Sequence, residues 1–243
     1  VESGVQDQVF ALDIARKSDY RSVRAIAKTR GLILSPASTK KVVPIKAFFH
    51  STCGGDTETP AQVWGARYPG FRDRGVDCPF CTSSPRYRWE ALVTARDVGD
   101  AIASAVHRSV RNQDRAMEGI VQNWPRGWQR FIEPRQAVGM KTSEMGTSTR
   151  AVTVLVTLQN GSETIDLPIP APRLREWLGP GKIRSTAFEI KNLGAAKWSL
   201  KGKGNGHGVG MCQWGAKTMG ERGIQMAKIL KFYYPDAVIR KVW

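Results

Sequence analysis

Apolar and polar residues alternate on both sides of Asn160-Gly161, over Val152 to Leu158 and Glu163 to Ile169. A strand turns successive side chains to opposite faces, and Asn-Gly suits a tight reversal, so this stretch predicts a β-hairpin. A different period follows Thr94. Val98, Ile102, Ala105 and Val106 recur at helical spacing, with Thr94 as cap and Asp97 three residues on, which predicts a helix start. His107 falls in or at the end of that helix and reads as exposed or capping. Val42 to Phe49 reads as a buried strand, paired with Gly31 to Leu34 around a Ser35–Lys41 turn. Further strands are predicted at Val5 to Ala11, Ser84 to Val93, Ser185 to Ile190 and Ala196 to Leu200, with Tyr87 and Trp89 on one face of the second. Short helices are predicted at Arg173–Leu178, Gln213–Glu221 and Ile224–Phe232, and Tyr20 to Thr29 is a basic amphipathic segment. Residues 112–150, polar and punctuated by Gly, Pro and Trp, read as an irregular insertion or lobe connection. The pattern is α+β, mostly antiparallel strands with few helices, forming one domain over residues 1–243 or two lobes of it.

Charge narrows the partners. The chain carries 37 Lys+Arg against 21 Asp+Glu, a net charge of +16, which favours anionic partners. The bases are scattered and no zinc-finger, helix-turn-helix or RNP signature accompanies them, so nucleic acid rests on charge alone. No run of about 18 apolar residues is present, so no transmembrane helix is expected. No signal peptide opens the chain, and any such segment is expected upstream of it.

Two stretches carry candidate chemistry. The segment Gly202 to Ala216 holds six glycines in fifteen residues, one of the three histidines (His207), and an apolar run from Trp214 that suits a helix start. Glycine at that density lets a backbone approach a ligand closely and present N–H groups at a helix N-terminus. The segment His50-Ser51-Thr52-Cys53-Gly54-Gly55-Asp56-Thr57-Glu58 carries a second histidine and a glycine pair. Together they resemble the SpoIID/LytB family of bacterial cell-envelope proteins, with its H-S-x-x-G-G-x-T-E and G-H-G-V-G-M-S-Q-Y-G-A elements. Cys212 stands for the usual Ser and Trp214 for the usual Tyr. Ile229-Leu230-Lys231-Phe232-Tyr233-Tyr234-Pro235 resembles the family's closing I-L-x-x-Y-Y-P. The family's upstream helix E-x-L-K-A-Q-A-x-A-A-R-T-Y, whose glutamate is regarded as the catalytic acid, is not found. The chain therefore reads as a member without its first portion.

The resemblance implies an exported protein acting on peptidoglycan glycan strands. The expected activity is lytic transglycosylation of peptide-stripped strands to 1,6-anhydro products. The alternative is a non-catalytic glycan binder that stimulates a cell-wall amidase. One carboxyl group can serve such a reaction as acid and then base. Glu58 lies nearest a motif and is the candidate, with His50 and His207 beside it as catalytic residues. Ser51, Thr57 and Gln213 would hold sugar hydroxyls and acetamido groups. The glycine loop (Gly206, Gly208, Gly210) would face the lactyl carboxylate, with Gly54, Gly55, Met211 and Trp214 completing the contact surface.

The cysteines raise a second chemistry. His50, Cys53, Cys78 and Cys81 form H-x-x-C…C-x-x-C, with 24 residues between Cys53 and Cys78. Those ligand types suit a tetrahedral zinc site. If His50 serves substrate instead, water or Cys212 completes the shell. The rival is a disulfide, Cys78–Cys81 or Cys53 with either. Cys212 by itself reads as a small buried residue in place of Ser.

Overall fold

The computed structural model describes residues 20–110 and 137–243. Among these, six helices and ten strands alternate in an α+β arrangement. Tyr20–Thr29 (α1) leads into Leu32–Pro36 (β1), followed by Phe49–His50 (β2) and Pro60–Trp64 (α2). Arg88–Thr94 (β3) runs into Ala95–Val110 (α3). Ala137–Met145 (β4), Ala151–Asn160 (β5) and Glu163–Pro170 (β6) form one antiparallel sheet, in that order. Ala171–Leu178 (α4) precedes Phe188–Gly194 (β7) and Lys197–Lys203 (β8), which with β3 form a second antiparallel sheet in the order β3-β8-β7. Met211–Cys212 (β9), Gln213–Glu221 (α5), Met226–Tyr233 (α6) and Ala237–Lys241 (β10) close the chain.

The hairpin forms as the alternation predicts, with Val154, Val156 and Leu158 of β5 and Leu167 and Ile169 of β6 turned inward. Its register pairs Asn160 with Glu163, so Gly161 and Ser162 make the two-residue loop, and Gly161 takes φ 59. A glycine with positive φ at the first loop position gives the backbone twist that two-residue hairpins favour. Helix α3 starts as its cap predicts. Thr94 Oγ1 accepts the Asp97 N–H at 3.2 Å, and Asp97 Oδ2 accepts the Thr94 N–H at 2.8 Å. Val98, Ile102, Ala105 and Val106 are buried on one face. His107 lies in the last turn of α3 and is exposed. This helix, α4 and the inner faces of the two three-stranded sheets share one hydrophobic cluster. A separate cluster gathers the four cysteines with Met219, Tyr233 and Tyr234.

The expected strand pair near residue 40 is not formed. Strand β1 pairs antiparallel with β10, Leu32 against Lys241, at the far end of the chain. Of Val42 to Phe49 only Phe49 enters a strand, and Val42 and Val43 are exposed. Pro44 explains this, because it removes an N–H and fixes φ inside the run. One backbone bond, from Ile45 N–H to the Leu34 carbonyl at 2.9 Å, is what joins the two segments. The stretch read as irregular, 112–150, contains strand β4, where bulges at Ala137/Gly139 and Thr142/Glu144 break the alternation that would mark it. Residues 112–136 and the Val5 to Ala11 strand lie outside the described residues.

Candidate functional site

The two motif segments fold into one place although about 150 residues separate them. Strands β2 and β9 pair in parallel, Phe49 with Met211 and His50 with Cys212. Thr52 and Asn205 then exchange both backbone bonds, at 3.0 and 2.7 Å, and the Glu58 N–H donates to the Gly208 carbonyl at 2.9 Å. The closing motif braces the junction. Tyr234 Oη donates to the Phe48 carbonyl at 2.6 Å and accepts the Met211 N–H at 3.3 Å. Tyr233 Oη lies 3.2 Å from Cys78 Sγ. Glycine is demanded where the loop is tightest. A Cβ on Gly210 would lie 2.0 Å from the Phe48 carbonyl oxygen, and one on Gly208 would lie 2.5 Å from the Arg150 guanidinium carbon.

Both motif histidines are held by Val209. Its N–H donates to His207 Nδ1 at 3.0 Å, which leaves the proton on Nε2, donating to the Phe49 carbonyl at 2.9 Å. Its carbonyl accepts from His50 Nδ1 at 3.1 Å, so His50 Nε2 is a bare acceptor, buried and without a partner among the described residues. Burial, against the raising effect of the Phe49 hydrogen bond, lowers His207 from 6.5 to about 4; Arg150 and Arg175 push the same way. Burial, His207 and Arg150 push His50 down as well. Both imidazoles are neutral at pH 7 and their hydrogen bonds fix the loop. His207 is thus a brace with both nitrogens engaged, not a free acid or base.

A pH dependence follows. The folded state binds fewer protons at His207 than the unfolded chain between pH 6.5 and about 4, so stability falls as pH drops through that window. The loss from this group reaches at most about 3 kcal/mol. Melting temperature should decline from pH 7 to pH 4, and His207→Gln should flatten that decline while costing stability at pH 7. An unchanged slope in the variant would contradict the assignment.

Glu58 is buried, 3% exposed, and three donors engage its carboxyl: the Thr59 N–H at 2.8 Å, Thr147 Oγ1 at 3.3 Å, and Ser148 Oγ. Thr149 Oγ1 donates to Asp56 Oδ2 at 3.3 Å. This hydroxyl-rich turn, Thr147 to Thr149, lies in the segment that reads as irregular from sequence. Ser148 and Thr149 also line an open groove of about 860 Å³, along with Arg88, Trp89, Lys201 and Lys203. The groove thus runs from the β3-β8-β7 sheet to the two hydroxyl residues that donate to Glu58 and Asp56. Thr57 is structural, its hydroxyl accepting the Val76 N–H at 2.8 Å. Gln213 is exposed; Ser51, Gly55, Gly206, Met211 and Trp214 are half-buried and Gly54 is buried. In the glycine loop, the N–H groups of His207 and Gly208 have no partner among the described residues.

The metal-ligand set differs from the expected one. Cys53, Cys78, Cys81 and Cys212 bring their sulfurs within 4.8 Å of one another, all four fully buried and none in a disulfide. His50 is not in this group, because its Nδ1 is bonded to Val209 and its strand register places Cys212 there instead. Tetrahedral Zn–S bonds of about 2.3 Å put sulfurs about 3.8 Å apart, so the four thiols fit a small soft metal ion. Their surroundings fit too. The N–H groups of Cys53 and Gly215 each donate to Cys212 Sγ at 3.3 Å, as backbone donors around a metal thiolate do. A Cβ on Gly215 would lie 2.9 Å from Cys78 Sγ. Hydrogen bonds from Cys212, Cys53 and Cys78 hold the Cys81 thiol below its ordinary range. The departure of Cys212 from the usual Ser was the one sequence signal for this fourth ligand.

No family model matches the chain. Curated relatives do, over about nine-tenths of it. It is 26% identical to the amidase enhancer of Bacillus subtilis (strain 168), over 89% of this chain and 32% of that protein. It is 29% identical to stage II sporulation protein D of the same organism, over 88% of this chain and 50% of that protein. Stage II sporulation protein D of Bacillus amyloliquefaciens is also 29% identical, over 89% and 52%. The chain belongs to the SpoIID/LytB family. It spans about a third to a half of the length of these relatives. The three motif segments of this family member are the ones the fold brings together around the glycine loop.

Proposed function

We propose that this chain engages peptidoglycan glycan strands whose stem peptides have been removed, and that it serves their cleavage by lytic transglycosylation outside the cytoplasm. The observation that carries this reading is a groove separated from the buried Glu58 carboxyl by Ser148. Ser148 lines the one and donates to the other, so a strand that displaces the Ser148 hydroxyl would uncover the carboxyl. In the reaction a carboxylic acid protonates the glycosidic oxygen, the C1–O bond breaks, and the C6 hydroxyl adds to C1. The resulting carboxylate takes the C6 proton, and no water is consumed. A single carboxyl suffices, unlike the paired carboxylates of ordinary glycosidases. The lactyl carboxylate, free only when the peptide is gone, suits the unpartnered N–H groups of His207 and Gly208 and the bases Lys201 and Lys203. Trp64, exposed beside His207 with ring centroids 5.2 Å apart, offers an indole face to a sugar ring. The four thiols would hold zinc, which supplies a structural cross-link among the loops that frame this site.

One observation favours a second reading, a glycan binder that stimulates a cell-wall amidase. Glu58 is almost fully buried and all its hydrogen-bond partners are internal. The two readings separate in one digest of peptide-stripped strands, read by mass spectrometry. Products carrying a 1,6-anhydro end, abolished in Glu58→Gln, are the expected result. Binding without cleavage would replace it by the second reading, and neither binding nor cleavage would remove both.

A further inference from the structure

Arg150 is among the largest fully buried side chains, 1% exposed, and it lies between the thiol cluster and the glycine loop. Its Nη2 donates to the Cys53 carbonyl at 2.5 Å. Gly208 leaves the space that the guanidinium fills. Its Nε and Nη1 have no hydrogen-bond partner, and no carboxylate lies within ion-pair distance of it among the described residues. An arginine stays charged at any working pH, so a buried one needs a counter-charge close by.

We propose that Arg150 is the counter-cation of a closed tetrathiolate zinc centre formed by Cys53, Cys78, Cys81 and Cys212, and that it couples this centre to the glycine loop. The proposal rests on the reading that the thiols hold zinc. Four thiolates around one zinc ion leave two net negative charges, in a pocket that excludes water. Neutral thiols or two disulfides would leave Arg150 with only Asp56 and Glu58 as opposing charges, neither within ion-pair distance among the described residues. Burial lowers Arg150, and Asp56, Cys53, Glu58 and Cys212 act in the opposite sense, so the cysteines are among the groups that hold its charge. Uncharged groups also face the centre, among them the Cys53 and Gly215 N–H groups and the Tyr233 hydroxyl. Arg150 is therefore a positioning residue. It touches the ligand segment at Cys53 and the loop at Gly208, and it transmits the presence of the metal to the glycan-facing backbone.

The test measures zinc affinity by competition with a chromophoric chelator for the wild type, Arg150→Lys and Arg150→Gln, with folding checked by near-ultraviolet circular dichroism. Removal of a partner outside the ligand shell typically costs 10–100-fold in metal affinity. Arg150→Gln should fall in that range and Arg150→Lys should recover most of it. A folded Arg150→Gln with wild-type zinc affinity, or a folded Arg150→Lys as weak as Gln, would overturn the proposal. A readout on the wild type needs no variant. The Arg150 Nε–H signal in nitrogen-15 NMR should shift and exchange faster when zinc is chelated, and an unmoved signal would count against the coupling. A wild type that binds no zinc at all would sink the metal reading itself, which is a separate failure.

Discussion

Cys212→Ser is expected to strip the protein of its metal and lower its melting temperature by roughly 10 °C or more. Structural zinc sites contribute folding free energy outright, and the loss of one of four thiolates removes a large share of it. A loss of about 4 kcal/mol in a chain of this size corresponds to a drop of about 10 °C. Serine makes the substitution informative. Cys212 is the N-cap of α5, its sulfur accepting the Gly215 N–H, and a serine hydroxyl does the same work at a helix start. Serine is also the residue that the SpoIID/LytB motif usually carries there. The cap is therefore kept while the ligand is lost. Elemental analysis should show zinc falling from about one per chain to a small fraction. A Cys212→Ser protein with full zinc content would restore His50 as the fourth ligand.

Gly210→Ala is expected to destabilise the protein by at least about 3 kcal/mol. Gly210 adopts φ +71, and a Cβ there would meet the Phe48 carbonyl oxygen at 2.0 Å, a backbone atom that Tyr234 and Met211 already hold in place. The left-handed backbone alone costs a non-glycine residue about 1–2 kcal/mol. Gly161→Ala is the control, since Gly161 has φ +59 with open space around its Cβ position. Urea unfolding of the pair should show the Gly210 variant losing more than the control, and the difference measures the β2–β9 contact. Equal losses would mean that the loop yields without disturbing Phe48.

The legible parts of the fold were those set by nearby residues. The Asn160-Gly161 hairpin, the Thr94/Asp97 helix start and the helices expected at Gln213–Glu221 and Arg173–Leu178, the latter observed over Ala171–Leu178, each depend on residues within a turn or two. Strand β1 pairs with β10, some 200 residues away, a partner that leaves no local mark in the sequence. The three motif segments were visible, but not their assembly. Sequence spacing joins His50 to the cysteines through H-x-x-C; in the fold, the imidazole meets Val209 while the Cys53 thiol joins the other three sulfurs. Arg150 and the Thr147–Thr149 turn carried no signal beyond a run of hydroxyls, since a buried arginine looks like any surface arginine in a chain with net charge +16.

The most direct measurement is equilibrium binding of labelled glycan strands in two forms, one peptide-stripped and one with the lactyl groups still amide-linked to peptide. Both readings of the function, enzyme and amidase modifier, require the first form to bind. The expected result is tighter binding of stripped strands, weakened by salt as anion recognition requires and weakened again by zinc removal. Equal affinity for the two forms, or no binding to stripped strands, would contradict the assignment of the glycine-loop N–H groups and the nearby lysines to the lactyl carboxylate.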